Sequence, residues 1–183
     1  MIFVTVGTDL PFDRMMRVID HWAAENNRSD LFAQIGEGGW EPPHIPFRNF
    51  LQPPEFRKMF EAADLIVSHA GMGTILTALH HGKPILVMPK RASLGEHRNE
   101  HQSATARHMM ALAGVNVAFG EAELRDRLDH PESLDVPVCI GATASPDLIS
   151  ALKNFIHDEN RNNRPSIRAS IRTAIMPLGT PGR

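Results

Sequence analysis

The chain has one cysteine, Cys139, in 183 residues. A lone cysteine excludes a disulfide framework within the chain and fits a reducing compartment, so the cytoplasm is the expected location. No apolar run is long enough to cross a membrane, and the opening "MIFVTVGTDLPF" lacks the basic start of a secretory signal. Neither sign of charge dominates, with 19 basic and 21 acidic side chains and a formal net charge of -2. The balance is uneven along the chain. After residue 150 six basic residues face two acidic ones, a surplus of +4 that leaves the first 150 at -6. An acidic body of this kind speaks against a nucleic-acid-binding core. No internal repeat appears, no low-complexity block precedes the tail, and the length has room for one sizeable core but not for a second full domain.

What is present is an alternation. "MIFVTV" reads as a buried strand that meets a loop at Gly7-Thr8, and "FDRMMRVIDHWAAE" places Phe12, Met15, Met16, Ile19 and Trp22 at helical spacing. The same order continues: "LFAQIG" and "IPFRNFL" as strands, "PPEFRKMFEAA" as a helix with proline at its start, and "DLIVSHAG" as a buried strand. Then come "MGTILTALHHG" as helix, "PILVMP" as strand, a helix from about Arg98 to Ala113 closed by Gly114, "VNVAFG" as strand, "EAELRDRL" as helix and a last helix in "SPDLISALKNFIHD". Strands alternating with helices predict an α/β fold, a single Rossmann-like domain with a mainly parallel sheet. The domain is expected over residues 1–158, with 159–183 a basic tail, flexible on its own. Its Arg168 and Arg172 would share one face of a helix and Ile167, Ile171 and Ile175 another, so it is either a solubilising end or a segment that orders against a partner or an anionic surface.

Ligands of such sheets bind where strand ends meet helix N-termini, which directs attention to Gly7-Thr8-Asp9, "SHAGMGT" (68–74) and "PKRASLGEHRNEHQ" (89–102). Gly71 and Gly73 flank Met72 at a strand-to-helix junction, the place where bare backbone N–H groups and a helix dipole receive phosphate; a tight turn explains the same glycines. Asp9 is either the N-cap of a helix starting near Pro11 or a loop carboxylate that faces a ligand. His69 either holds the loop backbone or faces a ligand. Lys90 and Arg91 are either surface charge or cations that face an anionic ligand. Trp40, on the loop "GEGGWEPPHIP", packs beneath that loop or meets a partner. "HRNEH" (97–101) has the H-x-x-E-H order of a zinc pair if it is helical, yet no third ligand has an independent reason to be near.

The segment "ADLIVSHAGMGTILTALHHGKPILVMPKRASLGEHRNEHQ", with the opening "MIFVTVGTDLPFDRM", resembles the C-terminal, nucleotide-sugar-binding domain of glycosyltransferase family 28, over residues 1 to about 120. Within that family it resembles single-domain members: the catalytic-subunit type of the dolichol-linked N-acetylglucosaminyltransferase and the PssE type of exopolysaccharide subunit. The resemblance implies the donor-binding half of a GT-B fold. It implies that Gly7, Thr8, Ser68, His69, Gly71, Met72, Gly73 and Thr74 surround the donor diphosphate, and that Glu100, His101 and Gln102 reach the sugar, with Thr77 standing where several members carry a ribose-binding glutamate. Lys90 and Arg91 complete the donor-binding set, and Asp9 and His69 are the candidate catalytic groups. A GT-B enzyme works between two such domains, so a membrane-anchored acceptor-binding subunit is implied, which would recruit this chain to the inner face of the membrane. The expected reaction is transfer from a UDP-sugar to a polyprenyl-diphosphate-linked saccharide, in exopolysaccharide biosynthesis, with no cofactor, no bound metal and no nucleic acid. The alternative is a nucleotide-sugar-binding subunit whose partner supplies the chemistry; a zinc peptidase is a third, more distant class.

Overall fold

A computed structural model describes residues 1–98, 101–109 and 114–137, with His101, Ala104, His108 and Met109 described by their backbone alone. The apolar strand runs pair into a six-stranded sheet: β1 (Ile2–Thr5), β2 (Leu31–Gln34), β3 (Phe47–Arg48), β4 (Leu65–His69), β5 (Ile85–Met88) and β6 (Val115–Val117). The order is β3-β2-β1-β4-β5-β6, and every pairing is parallel. Five helices connect them: α1 (Asp13–Glu25), α2 (Pro53–Ala62), α3 (Met72–His80), α4 (His101–Met109) and α5 (Glu121–Asp129). No helix among the described residues is long and apolar enough to cross a membrane.

Strand side chains alternate between two cores, as the two-residue period of a pleat requires. Ile2, Val4, Leu65, Val67, Leu86 and Met88 face Met15, Met16, Ile19 and Trp22 of α1 and Leu124 and Leu128 of α5. Phe3, Ile66, Ile85, Val87, Val115 and Val117 face Phe60 of α2, Ile75, Ala78 and Leu79 of α3 and Ala106 of α4. Burial on both faces is why these strands read as nearly continuous apolar runs. α2 starts as its sequence signals, with Pro53 in the first turn and the Glu55 carboxylate accepting the Gln52 N–H at 3.2 Å.

Three expectations change. The strand read over 45–51 is only Phe47–Arg48, and the residues after it form a wall described below. His97 and Arg98 are not helical, while α4 is described over His101–Met109, so His97 shares no helical face with His101; the metal-pair geometry fails for that reason. α1 has Phe12 at its N-cap and no capping side chain, so Asp9 caps nothing. The helix read over 145–158, the 158/159 boundary, the tail and Glu100 lie outside the described residues.

Candidate functional site

The strand order reverses direction between β1 and β4, and a cleft of about 590 Å³ opens at their carboxyl ends. One wall is the β1 exit, Thr5, Gly7 and Thr8; the floor is His69; the other walls are the start of α3 (Gly71, Gly73, Thr74, Thr77) and a segment from Phe50 to Phe60.

The two loops are fitted around one imidazole. A Cβ on Gly7 would stand 2.5 Å from His69 Cε1, and one on Gly71 would stand 2.2 Å from Nε2. Gly7 also holds φ at +83°, which disfavours any side chain. These two glycines therefore make room for the His69 ring. Gly73 differs: its φ is not positive, and a Cβ there would meet nothing within 4 Å. It is the glycine that leaves open space in front of the helix. No side chain caps α3, so the first-turn N–H groups of Met72, Gly73 and Thr74 are left at the positive end of the helix, with Gly73 and Thr74 lining the cleft.

His69 Nδ1 is buried with no hydrogen-bond partner among the described residues. Burial above all, then the charges of Lys90 and His97, push its pKa down to about 4 against an opposing backbone bond to Thr5, so the ring is neutral at physiological pH. Ser68 is buried, and its hydroxyl donates to the His69 carbonyl at 2.9 Å. The Thr77 hydroxyl donates to the Gly73 carbonyl at 2.7 Å, which leaves only its lone pairs for a ligand.

A sequence model of the glycosyltransferase family 28 C-terminal domain matches residues 1–130. The chain belongs to this family. The mouse UDP-N-acetylglucosamine transferase subunit ALG13 is 30% identical over 181 residues, a match that covers 85% of this chain and 15% of the mouse protein. The human protein of that name is 28% identical over 109 residues, covering 54% of this chain and 10% of its own length. The chain thus spans a small part of these curated relatives. Among solved structures, an NMR structure of ALG13 is 22% identical with a TM-score of 0.53, covering 85% of this chain and 96% of that one. MurG of Acinetobacter baumannii is 15% identical with a TM-score of 0.52, covering 72% of this chain and 41% of the enzyme. The fold is the Rossmann-like half of a GT-B glycosyltransferase.

In this family 28 domain the third loop lies differently from the sequence expectation. The buried Lys90 ammonium donates to the Leu10 carbonyl, and its backbone N–H donates to Gln102 Oε1 at 3.1 Å. Burial pushes the Lys90 pKa down to about 8, opposed by Asp9 and Glu96. Lys90 and Gln102 therefore tie loops together, and neither side chain lines the cleft, because both are spent on internal partners. Arg91 turns the other way, donating from Nη2 to the Phe119 carbonyl at 2.5 Å. Met72 is 41% exposed at the start of α3. Asp9, half exposed, lies 3.6 Å from Arg98 and 4.0 Å from His97. The Trp40 ring packs against the α1-side core under the Arg17 guanidinium, 4.4 Å from it.

Several contributors were not foreseen. Glu96 is 10% exposed in a two-pronged pair with Arg14, at 2.7 and 2.9 Å, and also accepts the Arg91 N–H at 2.8 Å. Buried Gln34 donates to Thr5 Oγ1 at 3.3 Å and the Gly7 carbonyl at 3.4 Å while accepting the Leu51 N–H at 3.0 Å. It joins the β1 exit to the Phe50 wall. Phe50 itself is an aromatic ring left 45% exposed at the cleft. Removing the Glu96 charge strands Arg14 in a nearly closed site, so Glu96→Gln is expected to lower stability by about 2 kcal/mol. The urea midpoint at pH 7 measures it, and an unchanged midpoint would show the pair to be dispensable.

Proposed function

We propose that this chain is the donor-binding subunit of a glycosyltransferase, holding a UDP-sugar in the cleft between β1 and β4. The observation that carries this reading is the juxtaposition of an uncapped helix N-terminus, opened by Gly73, with the exposed Phe50 ring on the facing wall. Backbone N–H groups and the Thr74 hydroxyl suit a diphosphate, and an aromatic face suits a base. Thr77, one turn into α3, has hydroxyl lone pairs but no carboxylate to offer a ribose. The mouse and human relatives are UDP-N-acetylglucosamine transferase subunits, which supports the donor class and the need for a second subunit. The acceptor, on this reading, is a polyprenyl-diphosphate-linked saccharide presented by a membrane-anchored partner, and the pathway is exopolysaccharide assembly at the inner face of the membrane. His101 and Glu100 are assigned to the donor sugar.

How the reaction would run follows from what each group can do. The helix terminus stabilises charge that builds on the leaving diphosphate, which needs no metal bound by the chain. Neutral His69 sets the positions of both loops. Asp9, outside the cleft lining but on the loop that enters it, is the available carboxylate for an acceptor hydroxyl.

A second reading has its own support. No carboxylate lines the cleft among the described residues. If the partner supplies the base, this chain binds the nucleotide sugar and adds positioning alone. Titration calorimetry with uridine diphosphate tests what the two readings share. Phe50→Ala should weaken binding about tenfold without changing stability, as the loss of one stacking face allows. Equal affinity in the variant would remove the base from this wall, and tighter binding of NAD than of uridine diphosphate would overturn the donor class. Asp9→Asn then separates the readings: a loss of transfer with the partner present, at unchanged uridine diphosphate affinity, supports chemistry on this chain.

A further inference from the structure

We propose that a hollow beside β5 and β6 is a second anion site, one that takes the phosphate group of a lipid-linked substrate. It measures about 350 Å³ and is lined by Pro89, Arg91, Ser93, Ser103, Arg107 and Phe119, with no residue in common with the cleft. Ser103 and Arg107 stand four residues apart on α4 and so point the same way. Arg91 follows β5, and its bond to the Phe119 carbonyl holds its guanidinium across the exit of β6.

Among the described residues no carboxylate lines this hollow. Neither Arg91 nor Arg107 forms a side-chain ion pair among the described residues. The carboxylates closest in the bonding pattern are engaged elsewhere: Glu96 with Arg14 and the Arg91 backbone, and Glu123 with the Phe119 N–H at 2.7 Å. Two guanidinium groups and the Ser103 hydroxyl make a donor-rich set beside the apolar Pro89 and Phe119. Such a set matches a phosphate or diphosphate.

The position narrows the source, and here the inference rests on the proposed function. The hollow and the cleft open at the same carboxyl edge of the sheet, two strand spacings apart, or roughly 10 Å. A donor diphosphate at α3 does not reach both. The other phosphate in the reaction belongs to the acceptor, whose sugar must approach the cleft while its polyprenyl diphosphate stays at some distance. The hollow is placed to receive that diphosphate, so the two substrates would be held by two separate anion sites on one sheet edge.

The full chain, saturated with uridine diphosphate to fill the cleft, is titrated by calorimetry with inorganic pyrophosphate. Binding is expected, with about a tenfold loss in Arg107→Gln and no change in uridine diphosphate affinity. Pyrophosphate that only displaces uridine diphosphate, or that binds Arg107→Gln as tightly as the parent chain, would overturn the site. Co-sedimentation then identifies the source. Phosphatidylcholine vesicles carrying polyprenyl diphosphate should retain the parent chain and release Arg107→Gln, whereas vesicles carrying phosphatidylglycerol at equal charge should retain neither. Equal retention on both would overturn the acceptor assignment in favour of a general headgroup contact. A chain that binds pyrophosphate through Arg107 but ignores uridine diphosphate would keep this site and refute the donor cleft instead.

Discussion

Gly71→Ala is expected to lower stability by about 2 kcal/mol, and Gly7→Ala by about 3 kcal/mol, although each adds a single methyl group. Both methyl groups enter the His69 ring, at 2.2 and 2.5 Å. An overlap of that size forces the imidazole or a loop to move, and overfilling of this kind costs about 1–3 kcal/mol. Gly7 adds a second cost, because its φ of +83° is strained for alanine by roughly 1–2 kcal/mol. Gly71, at φ -90°, carries no such strain. The two origins separate in a double-mutant cycle with His69→Ala. Once the ring is gone, Gly71→Ala should cost almost nothing while Gly7→Ala keeps its backbone part, so the coupling to His69 appears in both but removes the whole penalty in one. Urea midpoints of the four single and double variants and of His69→Ala decide this. Additive effects would mean that the ring does not set the spacing of the two loops.

That result would also mark what a sequence can reveal about such a site. The glycines of "SHAGMGT" stood out as a phosphate loop, and the alternation of strands and helices was legible because strands buried on both faces leave continuous apolar runs. What the letters hide is which glycine does what. Gly71 looks like the better phosphate glycine, at the N-cap, yet its missing side chain is taken up by His69, and Gly73 two residues onward leaves the open space. The distinction depends on where a ring from the preceding strand points, which no spacing encodes. Glu96 is a similar case. Its partner Arg14 lies 82 positions away, so the local run "LGEHRNEH" reads as a solvated turn. Lys90 and Gln102 have the right chemistry for a diphosphate and a sugar, and local sequence gives no sign that the Leu10 carbonyl and the Lys90 N–H claim them first. Phe50 was hidden in a stretch with strand composition, and it becomes a cleft wall because pairing stops at Arg48.

Acid should weaken this fold through one histidine before it does so through the carboxylates. His69 has a pKa of about 4 in the folded chain against an ordinary 6.5, chiefly because burial penalises its charged form. Between those two values the unfolded chain binds a proton that the folded chain refuses, so stability falls as pH drops from 6.5 towards 4, by up to 1.36 kcal/mol per unit. The full loss from this residue is about 3 kcal/mol near pH 4, and nothing is lost at pH 7. The arginine-paired Glu25 and Asp30 and the N-terminally paired Asp64, all held below the usual carboxylate range, begin to lose their contribution only as pH falls through their ordinary values of 4.5 and 3.8, well below the 6.5 at which the His69 effect begins. His69→Gln removes the titrating group but keeps a polar side chain between the loops. The variant should be less stable at pH 7 and should show a flatter profile between pH 6.5 and 4.5, so that the two chains converge as the solution is acidified. Urea midpoints at pH 7, 6, 5 and 4.5 test it, and parallel profiles would place the proton elsewhere. The same neutrality bears on ligand binding. A diphosphate entering the cleft at pH 7 meets an uncharged His69, and its positive potential comes from the first turn of α3 and from Arg57 on the facing wall. Across pH 7 to pH 8 Lys90 titrates and His69 does not, so the His69→Gln variant should keep the parent's pH profile of uridine diphosphate affinity over that range, and a profile that flattens only in the variant would show that the histidine carries charge when the ligand is bound.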